Sequence, residues 1–143
     1  MNTDIEKYMA ADLVCFKPED DIVYAMRILL DKHFSGAPVV DRDGRMVGVL
    51  SKKDCMKIIY NTAYHQDWGG QVSQYMSRDV EHVDAGSSIL EAAEKFLDSR
   101  FRRFPVLRDG RLVGQISRCD ILRAIDEIYL REGRRAADPE TTE

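Results

Sequence analysis

Apolar positions change rhythm along the first half of the chain. From residue 22 to residue 30, Ile22, Ala25, Met26, Leu29 and Leu30 return at three- and four-residue intervals, which predicts a helix with one buried face. Two continuous apolar runs follow, Ala37–Val40 and Met46–Leu50, on either side of a turn carrying Asp43-Gly44; they predict a β-hairpin. A short β-rich run, Leu13–Phe16, precedes the helix. The second half repeats the rhythm: Val80–Val83, then Ile89, Ala92, Ala93, Phe96 and Leu97 at helical spacing, then Phe104–Leu107 and Leu112–Ile116 around Asp109-Gly110. Acidic or hydroxylic caps mark the helix starts, Glu19-Asp20-Asp21 in one copy and Ser87-Ser88 in the other. After each hairpin a serine, Ser51 or Ser117, stands where an N-cap belongs, ahead of helices expected over Lys52–Tyr60 and Arg118–Tyr129. Each half reads β-α-β-β-α.

The two halves are copies. A shift of 67 residues aligns Tyr8–Val40 with Tyr75–Leu107 without a gap, and 10 of the 33 positions are identical, against about two expected from average composition. After a one-residue deletion, Asp43–Asp54 meets Asp109–Asp120 with 7 identities in 12. Such self-similarity governs the fold reading: residues 1–66 form one repeat with an N-terminal lead-in helix, and residues 67–130 a second with its linker. Gly69-Gly70 suits that linker, and the polar residues 131–143 are expected to be a flexible tail. The fold class is α+β.

Length and composition narrow the function. A chain of 143 residues, 44% hydrophobic, can bury a core without disulfides or metals. The formal charge of −4 offers no general attraction for nucleic acid or anionic lipid, so any basic site is local. Three cysteines, with no Cys-x-x-Cys, argue against a disulfide framework and a zinc site and for reduced thiols. With no signal-like or membrane-spanning run, the expectation is a soluble cytoplasmic protein with no membrane association.

One phrase carries candidate chemistry, and it occurs twice: Gly48-x-x-Ser51-x-x-Asp54 and Gly114-x-x-Ser117-x-x-Asp120. A glycine closing a strand lets a ligand or a neighbouring backbone approach closely. The serine opens a helix whose unpaired N–H groups favour an anion. The aspartate, one turn later, has the acceptor oxygens to hold a vicinal diol such as a ribose. Ser-x-x-Asp is equally a plain helix cap with its acid on the favourable end of the helix dipole. Spacing alone leaves both readings open.

The tandem β-α-β-β-α order, the leading Met9 and Met76, the strands Ala37-Pro38-Val39 and Phe104-Pro105-Val106, and the repeated phrase together resemble a pair of CBS domains, the cystathionine-β-synthase-like module, from about Asp4 to Tyr129. The resemblance implies two repeats packed as a pseudo-twofold pair, a Bateman-type module, with adenosine ligands such as AMP, ADP, ATP or S-adenosylmethionine in clefts between them. It makes Asp54 and Asp120 ribose ligands and places Ser51 and Ser117 beside ribose or phosphate. It sets the backbone near Gly36-Ala37 and Arg103-Phe104 against the adenine, with Leu13-Val14 and Val80 as apolar support. Arg102 and Arg103, which replace Ser35 and Gly36 of the first copy, would favour phosphorylated ligands in the cleft using Asp120; a solvated basic edge is the plainer reading. It also implies a homodimer, no required cofactor, and a stand-alone module that signals to a regulated protein yet to be identified.

Two rivals remain: a ligand-free dimeric scaffold, and nucleic-acid binding through Arg100, Arg102, Arg103 and Arg108, which the acidic balance discourages. No nucleophile elbow, P-loop or metalloprotease motif suggests catalysis. His33, His65 and His82 lack metal-pair spacing and are expected at the surface or at helix ends. Cys119 is expected to be partly buried and structural, with a redox role as the alternative, and Trp68 to pack the linker onto a domain, with an exposed aromatic serving a partner as the alternative.

Overall fold

The computed structural model describes residues 4–66 and 68–133, which form two compact units, each with its own apolar core. Both units mix strands and helices, and the protein is α+β.

The first-repeat unit comprises residues 13–66 and 68–81 together with 109–112. The run expected as a strand over Leu13–Phe16 contracts to a single parallel bridge between Phe16 and Val39. Phe16 N–H donates to Pro38 O at 2.9 Å, and Val40 N–H donates to Phe16 O at 2.8 Å. Two residues later stands Pro18, which has no N–H to extend the ladder. Helix α1 (Ile22–Lys32) begins where the Asp21 carboxylate accepts Tyr24 N–H at 2.9 Å, and ends at His33, left-handed at φ 58°. Strands β1 (Gly36–Val40) and β2 (Met46–Ser51) pair antiparallel, with Gly36 opposite Ser51. The helix expected over Lys52–Tyr60 is divided into α2 (Lys52–Cys55) and α3 (Lys57–His65). At the junction Met56 N–H is shared between Lys52 O and Lys53 O, a tightened turn rather than a break in direction. Ile22, Leu29, Val39 and Leu50, each at most 1% exposed, fill the core.

This unit also takes in the residues that open the second repeat. A 3-10 turn, Val72–Gln74, buries Val72 and delivers Tyr75 to the same core, and Val49 and Ser77 exchange backbone hydrogen bonds of 2.9 Å. The hairpin turn at 109–112 belongs here too: Met46 N–H donates to Gly110 O at 3.1 Å and Leu112 N–H to Gly44 O at 3.0 Å.

The second-repeat unit comprises residues 4–12, 82–108 and 113–133. Its first strand, expected over Val80–Val83, is β3 (Val83–Asp84), parallel to β4 (Arg103–Arg108). Here Ala85 occupies the position of Pro18, and its N–H donates to Leu107 O at 2.8 Å, so the ladder runs on where the first repeat stops. Ser88 and Glu91 form a capping box that opens α4 (Ile89–Leu97). β4 turns through Asp109-Gly110, φ 55° and 83°, into β5 (Arg111–Ser117). Two consecutive positive φ values are what a two-residue hairpin turn requires, and glycine meets the second without strain. Helix α5 (Arg118–Ile128) follows and continues as a π turn over Tyr129–Gly133. Of the expected tail, residues 134–143 lie outside the described residues.

The repeats are contiguous in sequence, but packing does not follow that boundary. The chain's opening 3-10 turn, Ile5–Lys7, buries Ile5 in the second-repeat core, and Ala10 and Gln115 exchange hydrogen bonds of 2.9 and 2.8 Å. Each compact unit therefore pairs one repeat's core with the other repeat's lead-in.

Candidate functional site

The repeated phrase forms the same pair of hydrogen bonds in both copies. At the end of β2, Ser51 Oγ accepts Asp54 N–H at 3.0 Å and Ser51 N–H donates to Asp54 Oδ2 at 3.0 Å. At the end of β5, Ser117 Oγ accepts Asp120 N–H at 3.2 Å and Ser117 N–H donates to Asp120 Oδ2 at 2.8 Å. Each serine and aspartate thus forms a reciprocal capping box, the plainer of the two readings, and satisfies two donors that a helix start leaves unpaired.

The phrase's glycine also receives a definite role. A Cβ at Gly48 would lie 2.7 Å from Ser77 O and 2.8 Å from Met76 Sδ, and one at Gly114 would lie 2.9 Å from Ala10 O and 2.6 Å from Met9 Sδ. Of the two partners allowed by the spacing, a ligand or a backbone, the structure shows the lead-in backbone of each unit in the space a side chain would fill.

Each capped helix start sits against the strand ahead of its proline. Lys52 N–H donates to Ser35 O at 2.8 Å, and Arg118 N–H donates to Arg102 O at 3.1 Å. Gly36-Ala37 therefore lies beside Ser51, and Arg103-Phe104 lies in the unit that holds Ser117 and Asp120. A Cβ at Gly36 would come within 2.8 Å of Leu50 O, so the first copy has no room for the arginine that the second carries at this position. Arg102 and Arg103 are exposed, while Phe104 is buried against Phe96 with ring centroids 4.8 Å apart. At Phe104 only the backbone is in a position to serve a ligand. Val14 and Val80 are both half-buried and fall in the first-repeat unit, Val14 against its core.

Sequence reasoning missed one feature. Both aspartates hold a basic residue three positions on: Lys57 Nζ lies 3.7 Å from Asp54 Oδ1, and the Arg123 guanidinium bonds Asp120 Oδ1. The i, i+3 spacing on a helix was the available signal. Asp120 is the one charged residue buried among the described residues, with 10% of its side chain exposed, whereas 62% of the Arg123 side chain is in solvent.

Other expectations are corrected. Cys119 is exposed rather than partly buried, and Trp68 is exposed rather than packed onto a domain. Cys55 is the buried thiol; burial, and then the charge of Asp54, push its pKa up, which keeps it a packing group. His33 and His65 end α1 and α3 as expected, and His82 lies 3.3 Å from Asp84. Two concavities, one of about 280 Å³ lined by Asn61, His65 and Tyr75 and one of about 400 Å³ lined by Ile125, Ile128 and Tyr129, contain neither capping pair. Among the described residues no helix is long and apolar enough to cross a membrane.

Comparison with known proteins adds three findings. The family model of the CBS domain matches residues 4–61 and 72–127. Among curated proteins, the chain is 26% identical over 125 residues to an uncharacterized protein of Methanocaldococcus jannaschii, covering 87% of this chain and only 44% of that one. It is 27% identical over 126 residues to hypoxic response protein 1 of Mycobacterium tuberculosis, covering 87% of each. Among solved structures, CBSX2 of Arabidopsis thaliana in complex with AMP superimposes with a TM-score of 0.73 at 27% identity, covering 88% of this chain and 98% of that one.

Proposed function

Because the chain belongs to the CBS domain family, with two domains in tandem, we propose that it is a non-catalytic regulatory module that binds an adenosine-containing ligand and reports its occupancy to a partner protein in the cytoplasm. The observation that carries this reading is the serine–aspartate pair written twice, its second carboxylate buried yet ionically paired, in a chain similar to a protein solved with AMP. In this reading Asp120 accepts the ribose hydroxyls, Ser117 lies beside ribose or phosphate, the backbone at Arg103-Phe104 meets adenine, and Arg102 and Arg103 attract phosphate. Asp54, Ser51 and Gly36-Ala37 do the same work in the first repeat with less positive charge. Val14 and Val80 supply apolar contact. Thermal melting with AMP, ADP, ATP and S-adenosylmethionine tests the reading. A ligand at a hundred times its dissociation constant stabilises by about 2.7 kcal/mol, a rise in melting temperature on the order of 10 °C. An unmoved transition with all four removes the ligand from the account.

The scaffold reading has its own support, since both aspartates are already engaged in caps and ion pairs. Equivalent apolar side chains are exposed along the helical segments that follow them: Met56 and Leu122, Ile59 and Ile125, Tyr64 and Leu130. Apolar stripes of this kind mark association surfaces, and we assign them to a second copy of the chain. Replacing Ile59 and Ile125 together by lysine is expected to convert a dimer to a monomer in analytical ultracentrifugation. A monomeric wild type, or a variant that stays dimeric, refutes that assignment.

A further inference from the structure

Arg123 changes what the second-repeat site can accept. Asp120 spends Oδ2 on the Ser117 N–H, and its Oδ1 bonds the Arg123 guanidinium from the next turn of α5. The carboxylate is buried and the guanidinium is mostly in solvent, so the pair presents its basic partner outward. A bare carboxylate that accepts the 2′ and 3′ hydroxyls of a ribose repels a phosphate on either oxygen. A guanidinium bonded to that same carboxylate cancels the charge and offers further N–H donors next to the sugar edge that the carboxylate holds. Its planar fork matches phosphate oxygens in pairs. The first repeat has Lys57 at the equivalent position, 3.7 Å from Asp54, a single ammonium without a fork.

We propose that Arg123 makes the second-repeat site selective for adenosine ligands phosphorylated on the 2′,3′ edge of the ribose, the remaining hydroxyl bonding Asp120 and the phosphate bonding Arg123. This rests on the reading of Asp120 as a ribose acceptor. Arg123 is then a specificity residue that touches ligand, not only a support for the aspartate.

The test is calorimetric titration of the full chain with adenosine, 5′-AMP and 3′-AMP, using the wild type, Arg123→Gln and Arg123→Lys. Because Arg123 is exposed, the variants keep the fold, which unfolding curves without ligand check. The wild type is expected to bind 3′-AMP about tenfold more tightly than adenosine; Arg123→Gln erases that preference, and Arg123→Lys keeps part of it. Equal losses for adenosine and 3′-AMP in Arg123→Gln would reduce the residue to a positioning role and overturn the proposal. Binding of 5′-AMP without 3′-AMP also overturns it, while leaving the adenosine reading intact. Failure of the wild type to bind any of the three overturns that reading and the proposal together.

Discussion

Asp120→Ala is expected to weaken AMP binding by ten- to a hundredfold, because a hydrogen bond to a charged acceptor is worth about 1.5–3 kcal/mol. The same substitution removes half of a capping box and is expected to lower folding stability by about 0.5–2 kcal/mol. The two effects separate by comparison with Asp54→Ala. That variant dismantles the matching box in the first repeat, where Ser51 N–H and Asp54 Oδ2 are 3.0 Å apart, and loses similar stability without disturbing the second-repeat site. Calorimetric titration and denaturant unfolding of both variants check the pair. Equal AMP affinity in the wild type and Asp120→Ala would leave the aspartate as a cap and nothing more.

Gly114→Ala is expected to cost about 1–3 kcal/mol, the usual penalty for forcing atoms into filled space. Its Cβ meets the backbone oxygen of Ala10 at 2.9 Å as well as the flexible Met9 sulfur, and a carbonyl held in a bridge cannot swing away as a thioether can. Shortening Met9 to alanine in the same chain relieves only the sulfur contact, so most of the loss remains. Amide exchange gives the local readout. Gln115 N–H, which donates to Ala10 O at 2.8 Å, is expected to lose protection in the variant. A variant as stable and as protected as the wild type would contradict the docking of the opening segment on β5.

These two positions also show how far the sequence could be read. Ser117 and Asp120 were legible as a helix start because capping is local chemistry: the serine and aspartate sit three residues apart at the end of an apolar strand, and the structure forms both hydrogen bonds. The role of Gly114 was not legible, since a missing Cβ does not say what fills the space. Nor was the exchange of lead-ins, because Tyr8-Met9 and Tyr75-Met76 are the same dipeptide at the same repeat position and pattern alone fits either partner. The contraction of the first strand to Phe16 could have been anticipated from Pro18, which has no N–H where Ala85 donates one in the other copy. Arg123 escaped notice for a different reason. Motif reasoning stopped at Asp120, and the residue that pairs with it lies one helical turn farther on.

The central claim is that an adenosine ligand is held at the second serine–aspartate pair. Titrating the isotope-labelled protein with AMP while following backbone amide resonances tests it most directly. The account predicts that the largest shifts fall on Arg103, Phe104, Ser117, Arg118 and Asp120, with smaller ones at Ser51 and Asp54. Shifts confined to the concavity at Asn61, His65 and Tyr75, or no shifts at saturating AMP, would contradict it.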